Sequence, residues 1–174
     1  AEKTTSAYQQ EFRSLFMALN SNPDYNEWME IYRKLVYWEL EMKKSDSPEM
    51  QEVFETQKQE ANTEFFKFIS KNYASWVSPK STDGPIMSHT LLKYKVLPHL
   101  EKGTPLFFVL IDNLRFDQWK IIQPKFAESF RIQEEETFYS ILPTATQYAR
   151  NAIFAGMLPV DIEKQFPNQW KNDD

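Results

Sequence analysis

The chain has 174 residues, a mass of 20.7 kDa and a net charge of −5, the size of one ordinary domain or two small ones. The acidic balance excludes a general binder of nucleic-acid backbone, and the absence of cysteine excludes a disulfide framework, a zinc finger and a cysteine nucleophile. No apolar run is long enough to span a membrane, the polar start AEKTTSAYQQ is no signal peptide, and 16% aromatic residues supply ample core. The start also lacks an initiator methionine, so a piece of a longer protein is expected. No glycine occurs before Gly84, and the apolar residues up to that point keep a helical period. Tyr8, Phe12, Leu15, Phe16 and Leu19 predict a first helix, stopped by Asn20-Ser21-Asn22-Pro23. Tyr25, Trp28, Ile31, Tyr32, Leu35 and Trp38 predict a second, from Asp24 to Lys44, with Lys43 and Lys44 beside the negative end of its dipole. Ser47-Pro48-Glu49 is a helix start, and the stripe from Met50 through Phe54, Gln57, Ala61, Phe65 and Phe68 to Trp76 predicts a third. Short turns between amphipathic helices give an antiparallel bundle whose aromatic stripes form its core.

Ser78-Pro79-Lys80-Ser81-Thr82-Asp83-Gly84-Pro85 reads as a linker, which divides the chain into residues 1–80 and 81–174. Beyond it Ser88 is expected to cap a helix running to Glu101, crossed by Pro98 and closed by Gly103. The only histidines, His89 and His99, stand on opposite sides of that proline, which favours structural or exposed roles over a shared metal site. Leu106 to Ile111 is unbroken apolar sequence ending in Asp112-Asn113, the pattern of a strand buried on both faces of an α/β sheet. A helix with Phe116, Trp119 and Ile122 inside follows, broken by Pro124; residues 130–141 hold a second strand. Leu142-Pro143-Thr144-Ala145-Thr146 is a turn, and Tyr148 to Ala155 a helix ending at Gly156.

Asp112 sits at the carboxyl end of the apolar strand, where open α/β sheets place their ligands. A Walker B aspartate would need a phosphate loop, and no GxxxxGK[ST] occurs. A haloacid-dehalogenase site would need a second aspartate at the position of Leu114, and a GTPase DxxG a glycine at that of Arg115. Two readings remain for Asp112, a metal ligand or a helix cap. Thr144 and Thr146 open a turn into a helix, where backbone amides favour phosphate, and Arg150 lies one helical turn beyond Thr146. Taken alone, Thr144 or Thr146 is more simply read as a plain helix cap.

The sequence VLIDNLRFDQW with LPTATQYARNAIFAGMLP, a strand-end aspartate and a PTxT turn 34 residues on, resembles the alkaline phosphatase superfamily. It resembles in particular the PglZ domains of Bacteroidota response regulators of the PorX type. Those proteins place a receiver domain before a three-helix bundle and a PglZ domain. The resemblance implies that Asp112 holds a metal, usually zinc, and that Thr146 both ligates it and attacks phosphorus, with Thr144 as runner-up; Arg150, by its place one turn beyond Thr146, is expected to reach a phosphate oxygen. It further implies a phosphodiesterase with two zinc ions, acting on phosphate esters, nucleotides or oligonucleotides. The same family places it as an effector under an upstream receiver domain, in signalling linked to protein secretion; a cytoplasmic location is expected, and a homodimer because too few strands follow to cover the apolar run. The superfamily's further Asp and His ligands have no counterpart, since no histidine follows His99 and the sequence stops at Asp174. The expected fold is therefore an α three-helix bundle followed by the N-terminal part of an α/β alkaline-phosphatase-like domain, an inactive internal fragment with the remaining ligands outside it. The rival expectation is a helical dimerisation module on an α/β scaffold, in which Asp112 and Thr146 only cap helices.

Overall fold

The computed structural model describes residues 2–78, 83–100, 103 and 105–170, with side chains from Ser6 onward. It divides into two units. The first comprises residues 1–83 and 115–132, the second residues 84–114 and 133–174.

The first unit is built on three helices, α1 (Glu2–Leu19), α2 (Tyr25–Met42) and α3 (Pro48–Trp76). Each starts or stops where short polar side chains or proline compete with the helix. Asp24 caps α2: its carboxylate accepts from the Asn26 and Glu27 amides at 2.8 and 2.9 Å, and Glu27 accepts from the Asp24 amide at 2.8 Å. This is a reciprocal capping box. Ser47 caps α3 with Pro48 in its first turn, as the sequence predicts. Every pair among the three helices packs together. Contacts give an antiparallel course. Tyr8 meets Trp38 while Glu11 pairs with Lys34, and Tyr25 meets Trp76 while Trp28 lies against Phe65 and Phe68. Tyr8, Leu15, Leu19, Trp28, Ile31, Trp38, Met42, Phe54 and Ala61 form the core. Two members of the predicted stripes are displaced from it: Phe16 and Tyr32 are each 47% exposed. A stripe wider than the space between two partners leaves its margins in solvent. One polar side chain enters the core. Gln57 accepts from the Tyr8 hydroxyl at 2.9 Å and donates to the Phe12 carbonyl at 3.0 Å, tying α3 to α1.

A further helix, α5 in chain order (Phe116–Ala127), packs on α2 within this unit. Pro124 does not break it as expected; the helix runs through Pro124 to Ala127. A proline in the last turn removes a single backbone bond close to an end that frays in any case.

In the second unit the expected helix from Ser88 starts later and differently. Ser88 is fully buried and is no cap; its hydroxyl accepts from the Ile141 amide at 3.1 Å. Leu92–Val96 is a π turn leading into α4 (Leu97–Leu100). Pro98 has no N–H, and its ring crowds the carbonyl of Tyr94 four residues back. The backbone accommodates it by widening, with the Leu97 amide reaching five residues back to Leu92. The expected end of that helix at Glu101, and linker residues 79–82, lie outside the described residues. Helices α6 (Thr146–Ala155) and α7 (Pro159–Gln165) complete the unit. Gly156 ends α6 in the left-handed conformation, φ 64°, and its amide bonds to Ala152. A side chain there would be strained.

The expected α/β sheet does not form among the described residues. Residues 106–111 pair with no strand, and the expected strand at 130–141 makes one parallel bridge, Tyr139 with Met87. Ser88 and Tyr139 donate to Tyr139 and Ile86 carbonyls at 3.1 and 2.9 Å. An extended segment becomes a strand only where a neighbour satisfies its backbone. Here only residues 86–88 and 139–141 come alongside each other. The apolar run is accordingly open: Phe107, Val109 and Ile111 are 91%, 75% and 62% exposed. Its other face carries Phe108, whose ring lies 5.8 Å from Phe154 of α6.

Candidate functional site

The apolar run ends in a tight turn at Asp112-Asn113. Asn113 adopts a left-handed backbone, φ 60°, which Asn tolerates better than most residues. Its amide donates to Asp112 Oδ1 at 3.0 Å. Asp-Asn after an apolar run is a turn signal. Asp112 does not cap a helix: the cap of α5 is Arg115, whose own amide is accepted by Gln118 Oε1 at 3.0 Å.

Thr146 is the first residue of α6 and is half-buried; Thr144 is exposed and stands two residues ahead of it, outside the helix. The cap position belongs to Ala145, and no side chain caps the helix. Neither threonine therefore fills the capping role that competes with a chemical one. The amides of the first turn keep their partial positive charge for another anion. Leu142–Pro143, just ahead of this turn, is cis.

Arg150 lies one turn along α6, and residues four apart share a helix face. Its guanidinium Nη1 is 3.6 Å from Asp112 Oδ2. Asp112 is thus brought to the same face of α6 as Thr146, with Arg150 between them in the chain of contacts. The 38 residues separating Asp112 from Arg150 hide this pair from sequence reading. Both partners are about two-fifths exposed, so the pair orients more than it stabilises.

The histidines stand apart from this arrangement. His99 is exposed. His89 has a buried Nδ1 without a hydrogen-bond partner, and burial pulls its imidazole below the ordinary value against an opposing push from Asp161. No three His, Cys, Asp or Glu side chains cluster among the described residues. Zinc takes about four ligands. One carboxylate already engaged by Arg150 and one hydroxyl do not make such a site, so the described residues do not by themselves fit zinc.

An extended segment and an uncapped helix converge on an aspartate, a threonine and an arginine. Comparison with known families gives the class: residues 1–77 match the PorX response regulator linker domain, and residues 91–173 match the BREX system PglZ alkaline phosphatase-like domain. In that order the two matches are those of a PorX-like PglZ-domain protein fragment. No curated protein matches the chain. Alkaline phosphatase-like PglZ domains are generally metal-dependent. No described helix is long and apolar enough to cross a membrane.

Proposed function

We propose that the second unit supplies the nucleophile and anion-binding part of a phosphodiesterase site, in a protein whose helical linker places it under a receiver domain. The observation that carries this is the grouping of Asp112, Arg150 and Thr146 on one face of α6, with none of them spent on capping. Thr146 Oγ attacks phosphorus and forms a phosphothreonine as the ester P–O bond breaks, the hydroxyl proton passing to the departing oxygen, which leaves as the alcohol; water then hydrolyses the phosphothreonine and its proton restores the Thr146 hydroxyl. The open amides of α6 and the Arg150 guanidinium hold the phosphate oxygens. Asp112 orients Arg150 and is the metal ligand that the family relation suggests. A zinc site needs ligands beyond Asp112 and Thr146. Nucleotides or oligonucleotides as substrates, a cytoplasmic location, a homodimer and a role in regulating protein secretion belong to the same reading, and rest on the family relation alone.

The test is hydrolysis of a chromogenic phosphodiester by the protein as expressed from its own gene, with every domain it carries. Thr146→Ala should lower kcat/KM at least about 10³-fold with the fold intact. Asp112→Ala should lower activity and metal content together, and Thr144→Ala should be mild. Full activity in Thr146→Ala with loss in Thr144→Ala would move the nucleophile by two residues. Full activity in both would remove the catalytic reading of this turn altogether.

A further inference from the structure

Residues 115–132 lie inside the stretch that matches the PglZ domain, yet they pack with the linker bundle. The chain leaves the second unit after Leu114, passes through α5 in the first, and returns at Gln133. The outward crossing comes two residues after Asp112.

The anchorage of α5 on α2 has identifiable parts. Phe116, the first residue of α5, sets its ring 5.7 Å from that of Tyr32, and the Lys120 ammonium lies 5.6 Å from the centre of the Phe116 ring. Arg115 holds the Asp117 carboxylate through two hydrogen bonds, at 3.0 and 3.1 Å. These bonds keep the Asp117 carboxyl below the usual carboxylate range, with Lys43 of α2 adding to the effect. Burial raises the Tyr32 hydroxyl, and Asp117 and Glu39 push it the same way. Aromatic and charged groups of α2 and α5 thus form one docking site. Between it and Asp112 stand only Asn113 and Leu114 before the Arg115 cap. Asn113 is left-handed with its amide bonded to the Asp112 carboxylate, so a displacement of Arg115 has little slack in which to dissipate.

We propose that α5 is the element through which the helical linker restrains Asp112: docked on α2 it holds the Asp112-Asn113 turn in one geometry, and released it frees that turn. The regulatory meaning rests on the reading of Asp112 as a site residue; the coupling itself does not.

Nitrogen-15 relaxation on the 174-residue chain reads this without any assay of activity. Backbone order parameters at Asn113 and along α5 should lie near about 0.85. Tyr32→Ala and Phe116→Ala should each lower both toward about 0.6, while Tyr32→Phe, which keeps the ring, should leave them high. Unchanged resonances of the core residues Leu15, Ile31 and Phe54 establish that the bundle persists. Disorder of α5 with Asn113 unchanged would overturn the coupling. Retained order in α5 in both alanine variants would overturn the Tyr32–Phe116 anchor. Because phosphoester hydrolysis is measured separately, an inactive site with intact coupling and an active site without coupling are distinct results.

Discussion

Tyr8 and Gln57 carry the most specific interaction in the bundle. Removing the Gln57 amide leaves the Tyr8 hydroxyl buried and unpaired, at a cost of about 1–3 kcal/mol. Burial also raises the Tyr8 hydroxyl to about 12 from 10.0. The folded state therefore favours the neutral phenol. That contribution is fully present below pH 10 and is lost as pH rises toward 12. Urea melts across that window should show a steeper fall for the parent than for Tyr8→Phe. His89 acts at the other end of the scale. Its folded value lies below the ordinary 6.5, so its contribution is present above that pH and declines below it. A His89→Gln chain should lose this decline in thermal melts taken from about pH 7 to pH 5. Trp28, 5% exposed, and Phe54, 1% exposed, should each cost about 3–5 kcal/mol when cut to alanine. Trp28→Phe should cost much less, because the indole N–H it removes is buried without a partner.

At the scale of elements, the helices owe their limits to local chemistry and were legible for that reason. Ser47-Pro48 reads directly as a start, and Asp24-x-x-Glu27 carries the capping-box signature that the sequence reading did not use. Asp24→Ala should destabilise the bundle by about 1 kcal/mol in denaturant melts, an effect that Asp24→Asn should largely spare. The elements that were misread depend on distant partners. Leu106–Ile111 has every property of a buried strand except a neighbour among the described residues. Pro124 removes the amide that would bond to the Lys120 carbonyl, and the helix continues only three residues beyond it. The site was half legible for the same reason. Asp112 and Thr146 follow from their positions at the end of an apolar run and the start of a helix. The Arg150–Asp112 pair and the docking of Phe116 on Tyr32 join residues far apart in the chain, and no local pattern encodes them.

At the scale of the whole molecule, residues 106–111 present an open apolar face. Three large side chains in alternation, with unpaired backbone beside them, invite association with another chain. Light scattering on the 174-residue chain should give a mass above 20.7 kDa that rises with concentration. Phe107→Lys with Val109→Lys should return it to the monomer value. The double crossing between units has a consequence for how the protein is made. A chain emerging from the ribosome usually folds its N-terminal part first. Here α1 to α3 can close as soon as Trp76 is out, but the surface of α2 that receives α5 stays open until Ala127 has followed. Residues 84–114 meanwhile wait for Gln133 and beyond. Neither unit is finished before synthesis of the other is under way, so a translational pause near residue 80 would yield a bundle short of its fourth helix.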